Sequence, residues 1–181
     1  MNTHIALIRG INVGGHRRLL MKDLRAILER LGLSNVKTYL QSGNVVFQSS
    51  SGDTCQLSHD IGKAISESCQ FTPEVFVLSL EEWRSDIASN PFPEGECDPT
   101  SLHLFFLRSR PDSPDMGKLE SLRSANEKFE LSGTVFYLHA PDGIGRSKLA
   151  ANVEKALGVV LTARNWRSVK AVMSIALEVA S

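Results

Sequence analysis

The chain lacks most of the features that name a function at sight. No apolar run is long enough to span a bilayer. The start, Met1-Asn2-Thr3-His4-Ile5, has no basic stretch leading into an apolar core. No secretory signal is read there, and a cytoplasmic location is the expectation. Three cysteines (Cys55, Cys69, Cys97) are odd in number, widely spaced and without a CxxC pair, which speaks against a disulfide framework or a zinc site. Twenty basic and twenty acidic residues give a net charge of zero, unlike a dedicated non-specific DNA binder, although a local basic patch stays open. His4, His16, His59, His103 and His139 show no metal-ligand spacing, and His103 and His139 fall in strands, where packed histidines are common. There is no GxSxG elbow, no His-Glu-x-x-His and no carboxylate pair that reads as acid and base. No cofactor and no metal are expected.

What is present is a repetition. Val36–Phe47 and Asn126–Tyr137 are both extended, apolar-rich runs bent at a Ser-Gly pair, Ser42-Gly43 and Ser132-Gly133. Each follows a strand ending in arginine (Ile5–Arg9, Leu102–Arg108) and then a helix, and each precedes another helix. In the first half, Leu20, Leu24, Ile27, Leu28 and Leu31 make one face of a helix over about Met21–Leu31. Val36–Gln41 and Asn44–Gln48 form a hairpin, a second helix buries Leu57, Ile61, Ala64 and Ile65, and Glu74–Leu78 is a fourth strand. In the second half, Ser113-Pro114 reads as a cap plus first-turn proline. Phe129–Leu131 and Val135–Leu138 form a hairpin, Arg146–Leu157 a helix and Val159–Thr162 a strand. A last amphipathic helix runs from Trp166 to Val179.

Both halves therefore read βαββαβ, the split βαβ of a ferredoxin-like unit. The expected fold is α+β: two tandem ferredoxin-like subdomains over 1–80 and 101–181, the second with an extra C-terminal helix. A linker helix and loop over 81–100 join them, opened by the capping-box spacing of Ser79 and Glu82. The 4-1-3-2 strand order of that fold class puts Arg9–Gly15 beside Gln41–Asn44. In the second half it puts Ala140–Lys148 and Ala163–Trp166 at the far edge of the sheet.

Two loops carry the candidate chemistry. Arg9-Gly10-Ile11-Asn12-Val13-Gly14-Gly15-His16-Arg17-Arg18 joins a strand to a helix. Glycines let backbone N–H groups approach an anion, and arginines add charge-assisted bonds. The spacing is neither the dinucleotide nor the Walker pattern, and a glycine-bearing turn with solvated basic residues is the plainer alternative. Gly143-Ile144-Gly145-Arg146-Ser147-Lys148 resembles a phosphate loop at a helix entry, or simply a helix start capped by Ser147. Arg164-Asn165-Trp166 offers an anion contact, an N-cap and either a stacking ring or a core residue. Gln41, Ser42 and Asn44 exceed what a hairpin turn needs, yet fit one. The candidate ligand-binding set is Arg9, Gly10, Asn12, Gly14, Gly15, Gln41, Ser42, Asn44, Gly145, Arg146, Ser147, Lys148, Arg164, Asn165 and Trp166.

Several of these segments together resemble a known family. Arg9–Gly15, Tyr39–Phe47, Asn90-Pro91-Phe92, Arg146–Leu149 and Thr162–Trp166 are similar, in this order, to domain-of-unknown-function family 1697, a group of small bacterial cytosolic proteins. The resemblance implies an α+β fold with two ferredoxin-like units and implies no activity. The expected function is binding of a small anionic ligand, a nucleotide or phosphorylated metabolite, through the glycine-rich basic loops. The alternatives are an RNA or single-stranded nucleic-acid binder, disfavoured because the third strands lack the aromatic pattern of RRM domains; an enzyme, such as a transferase, using Lys148 or His16; and a protein-interaction scaffold. No membrane partner is expected, and no oligomeric state is read.

Overall fold

A computed structural model of the chain describes residues 1–14 and 17–181. The fold is mixed α and β, with two four-stranded antiparallel sheets, each flanked by helices. The chain divides into two compact units, Met1–Ile87 with Lys170–Ser181, and Ala88–Val169. These limits differ from the expected 1–80 and 101–181. The helix over 80–88 falls mostly to the first unit, and most of the last helix joins that unit too.

In the first unit β1 (Asn2–Ile8) leads to α1 (Met21–Arg30), then β2 (Ser34–Tyr39), β3 (Asn44–Ser49), α2 (Thr54–Ser68), β4 (Val75–Ser79) and α3 (Leu80–Ala88). The sheet order is β2-β3-β1-β4, which is 4-1-3-2 read from the other edge. Register follows side-chain alternation. Ala6, Ile8, Val45, Phe47 and Val75 point to one face and pack with Leu24, Leu28, Ile61 and Ile65 of α1 and α2. Ile5, Leu7, Val46 and Phe76, on the opposite face, are buried as well. Gln48 Nε2 on that face donates to Val179 O, tying the end of the last helix to β3. Leu20 and Leu31, assigned to the apolar face of α1 in sequence, are 40% and 39% exposed, because each lies just past a helix end.

The capping box forms as expected. Glu82 Oε2 accepts from Ser79 N and Oγ at 2.7 and 2.8 Å, and Glu82 N donates back to Ser79 Oγ at 3.1 Å. On α3 burial, and then the nearby Glu82 charge, pushes the Asp86 carboxyl up to about 6. Its ordinary value is 3.8, so its contribution to stability is full below that value and is lost as pH rises through about 6. His4 stacks on Phe47 at 5.5 Å and bonds Ser51 O through Nε2 at 3.0 Å, and burial holds its imidazole below the ordinary 6.5. In the second unit burial lowers His103 in the same way. Both histidines therefore add stability above pH 6.5 that is lost as pH falls through their lowered values. A carbon-detected NMR titration should place the Asp86 midpoint near 6, and His4→Gln with His103→Gln should flatten the loss of stability on acidification below 6.5. An Asp86 midpoint at the ordinary carboxylate value would contradict this burial.

The second unit holds β5 (Leu102–Leu107), α4 (Met116–Leu122), β6 (Lys128–Ser132), β7 (Val135–His139), α5 (Val153–Leu157) and β8 (Leu161–Asn165), in the order β6-β7-β5-β8. Phe105 and Phe136 meet edge-on at 5.6 Å, and Phe129 stacks on Phe136 at 5.4 Å, in a core with Leu119, Leu149 and Val153. The last helix, α6, spans Trp166–Ala180.

Two local expectations fail here. Asp115, not Ser113, caps α4, its carboxylate accepting from Lys118 N at 2.8 Å. The helix expected over 146–157 is only α5, five residues long. Before it the chain makes two single 3-10 turns, Ile144–Arg146 and Ala150–Asn152. Ser147 Oγ accepts from Ala150 N at 2.9 Å, and Asn152 Nδ2 donates to Lys148 O at 2.8 Å. Side-chain bonds of this kind compete with the α-helical ladder.

Candidate functional site

The glycine-rich loop and the β2–β3 turn lie side by side, as topology required. Ile8 N donates to Gly43 O at 2.8 Å, and Arg9 N to Glu74 O at 2.8 Å. Asn12 joins the two segments. Its Nδ2 donates to Leu19 O at 2.9 Å and to Gln41 O at 2.8 Å, and its Oδ1 accepts from Leu19 N at 2.9 Å. Asn12 N also donates to Arg17 O, closing the loop on itself. In the turn, Asn44 is fully buried and its Nδ2 donates to Tyr39 O and Ser42 Oγ at 3.2 and 2.9 Å. The polar side chains of Asn12, Ser42 and Asn44 are thus engaged in holding the two segments together. Gly10 and Gly14 serve the same loop through positive φ of 71° and 60°. Gly15 and His16 lie outside the described residues.

This end of the unit is also where the backbone is forced. Asn12, Arg17 and Leu40 have φ of 57°, 50° and 56°, three of the four non-glycine residues with positive φ among those described. For leucine this region is a true outlier, and such strain gathers where surrounding structure imposes it, often at functional sites. The loop feeds directly into a cleft of about 630 Å³ between the length of α1 and the end of α2. Arg18, Asp23 and Arg30 are the charged side chains of its lining, with Leu19, Ile27 and Phe71 among the apolar ones. The guanidinium of Arg17 sits 6.0 Å from the centre of the Phe71 ring. Among the described residues neither Arg18 nor Arg30 has an ion-pair partner. Cys69 lines the same cleft, and burial, reinforced by the Asp23 charge, pushes its thiol up. A thiol held protonated is the poorer nucleophile.

Of the cleft's charged residues, Arg18 belongs to the basic loop singled out in sequence but not to the candidate set, and Asp23 and Arg30 belong to neither. The signal for them was faint: Asp23, Ala26, Ile27 and Arg30 lie at i, i+3, i+4 and i+7, a second face of α1 beside the apolar one.

In the second unit the expected phosphate loop loses its helix. Gly145 and Arg146 lie in a 3-10 turn, Ser147 is buried and caps Ala150 N, and Lys148 is exposed. With α5 starting only at Val153, no helix dipole is aimed at Gly145–Lys148. Arg146 and Ser147 do line a cavity of about 330 Å³, but with Glu127 and Asp142. Neither Lys148 nor Arg164 lines it. Arg164 donates to Thr162 Oγ1 and Ala163 O of its own strand, and desolvation lowers its guanidinium to about 10. Asn165 is the N-cap of α6, its Oδ1 accepting from Ser168 N at 3.0 Å. Trp166 is 3% exposed, as a core residue would be.

The segments that build this architecture carry the family's sequence profile over residues 1–137. The chain belongs to DUF1697, described as a protein family of unknown function. A solved structure of similar fold is that of the conserved bacterial protein SP0830 from Streptococcus pneumoniae. It is 23% identical, with a TM-score of 0.74, over 97% of this chain and 98% of that one. The DUF1697 chain shares its fold. Among curated proteins no sequence matches. No helix of the described residues is long and apolar enough to cross a membrane, and among them no group of three or more His, Cys, Asp or Glu residues is placed to hold a metal ion.

Proposed function

We propose that the protein binds a small anionic ligand with an apolar or aromatic portion, a nucleotide or phosphorylated metabolite, in the cleft between α1 and α2. The carrying observation is the pair of guanidiniums, Arg18 and Arg30, without ion-pair partners among the described residues, lining one cleft with Leu19, Ile27 and Phe71. Arginine forks suit phosphate and carboxylate, and a volume of about 630 Å³ suits a ligand of nucleotide size. In this reading Arg9, Gly10, Asn12, Gly14, Gln41, Ser42 and Asn44 shape the loop that presents Arg17 and Arg18, and do not themselves touch the ligand. Each unit is a ferredoxin-like βαββαβ fold derived from an internal duplication, a reading supported by the identical strand order of the two sheets.

The nucleic-acid reading needs aromatic rings on an open sheet face. Phe47, Phe136 and Tyr137 of the third strands are at most 1% exposed, which removes that platform.

The test is a thermal-shift screen of nucleoside diphosphates, sugar phosphates and short RNA. It compares wild type with Arg18→Ala/Arg30→Ala and with Lys148→Ala. A ligand at about one hundred times its dissociation constant adds roughly 2.7 kcal/mol. The expected result is a phosphate-dependent shift in wild type and Lys148→Ala that the double variant loses. A shift that depends on Lys148 and ignores Arg18 and Arg30 would sink the proposal.

A further inference from the structure

The cavity beside Arg146 has the wrong charge for an anion site. Its charged lining is two carboxylates, Glu127 and Asp142, and one guanidinium, Arg146. Glu127 is 4% exposed, far more buried than a carboxylate usually is without a counter-ion. Its Oε2 accepts from Ser124 N at 2.8 Å, and no donor among the described residues reaches Oε1. The Arg123 guanidinium feels the Glu127 charge, but its hydrogen bonds go to Glu120, through Nε at 2.8 Å and Nη2 at 2.7 Å, and to the main-chain oxygen of Glu127. Lys128 is likewise committed, to Glu94 at 2.7 Å. Asp142 keeps one oxygen on Asn126 Nδ2 at 2.7 Å. The cavity therefore presents acceptors from Glu127 and Asp142, and Arg146 without an ion-pair partner among the described residues.

We propose that this cavity is a second ligand site and that it takes a small zwitterion, a molecule with a primary ammonium beside a carboxylate, as in a free amino acid. The ammonium has three donors and no acceptor, and Glu127 Oε1 with Asp142 supplies what it lacks. The carboxylate matches the planar fork of Arg146. A bound ammonium also pairs the one Glu127 oxygen that no donor among the described residues reaches. A volume of about 330 Å³ lies at the lower end of ligand sites, which limits the occupant to a small molecule. The site is built from residues of the second unit and does not rest on the proposal made for the α1–α2 cleft.

The test is a thermal-shift and calorimetric titration of the intact protein with the protein amino acids one at a time. Their N-acetyl forms and inorganic phosphate serve as comparison probes. Glu127→Gln keeps an oxygen for Ser124 N while removing the charge, and Arg146→Gln changes an exposed side chain with no structural bond to lose. At least one free amino acid should stabilise wild type, and its N-acetyl form should not. Each variant should weaken that binding by roughly tenfold or more. Arg18→Ala/Arg30→Ala should leave it unchanged, so this site and the α1–α2 cleft succeed or fail separately. Absence of any amino-acid shift overturns the proposal. So does stabilisation by phosphate alone, or binding that survives Arg146→Gln, and this last reading holds even if Glu127→Gln does not fold.

Discussion

Gly43→Ala should destabilise the protein by about 2–5 kcal/mol, the sum of roughly 1–2 for an alanine in the left-handed region and 1–3 for overpacking. Gly43 has a φ of 75°, and a Cβ built there would lie 2.7 Å from Ile8 O, 2.9 Å from Ile8 Cβ and 3.1 Å from Ile11 Cδ1. The nearest of these atoms is backbone in the central strand β1, so it cannot swing aside as a flexible side-chain end would. The same glycine accepts from Ile8 N through its carbonyl, so any relief by movement breaks that bond. Urea unfolding measures the loss, and the comparison is Gly133→Ala at the equivalent turn of the second unit. There φ is 59° but nothing lies within 4 Å of the added carbon, so only the conformational cost remains. Equal losses at the two glycines would remove the claim that β1 and the turn are locked by contact.

Asn12→Ala should cost about 2–4 kcal/mol, because it deletes three side-chain hydrogen bonds worth roughly 0.5–1.5 kcal/mol each and leaves a buried amide without an acceptor. That amide is Leu19 N, on a residue 3% exposed. The positive φ of Asn12 supplies a control. Glycine tolerates that backbone freely, so Asn12→Gly relieves strain and restores no bond. It should recover only the roughly 1–2 kcal/mol of left-handed strain that alanine adds and stay below wild type in stability. Asn12→Asp keeps an oxygen for Leu19 N but replaces the donor to Leu19 O and Gln41 O with negative charge, and should be no better. Full recovery in Asn12→Gly would mean that the residue serves only its backbone angle. Both losses should carry over to ligand affinity, since the loop they hold ends in Arg18.

Local chemistry was legible in the sequence wherever donor and acceptor sit within one turn. Ser79 with Glu82, and Asn165 before α6, cap helices as their spacing indicated. The alternation that sets the sheet faces, and the meeting of the glycine-rich loop with the β2–β3 turn, also followed from pattern and topology. Arg146–Asn152 misled because Leu149, Val153 and Leu157 keep helical spacing while Ser147 and Asn152 divert the backbone into 3-10 turns. The candidate site was harder still. Arg18, Arg30 and Phe71 come from a loop end, a helix end and the segment after α2, and no local motif links them. The glycine-rich motifs drew attention as ligand cradles, whereas their polar side chains are engaged in holding the fold. Asp115 displaced Ser113 as a cap for a similar reason: the carboxylate reached Lys118 N from the position next to the helix.

The most direct test of the α1–α2 cleft is a two-dimensional amide NMR titration of wild-type protein with a nucleoside diphosphate. The cleft account predicts perturbations centred on residues 18–30 and 68–71, with Gly143–Lys148 unmoved. Perturbations centred on Gly143–Lys148, with 18–30 and 68–71 silent, would contradict it.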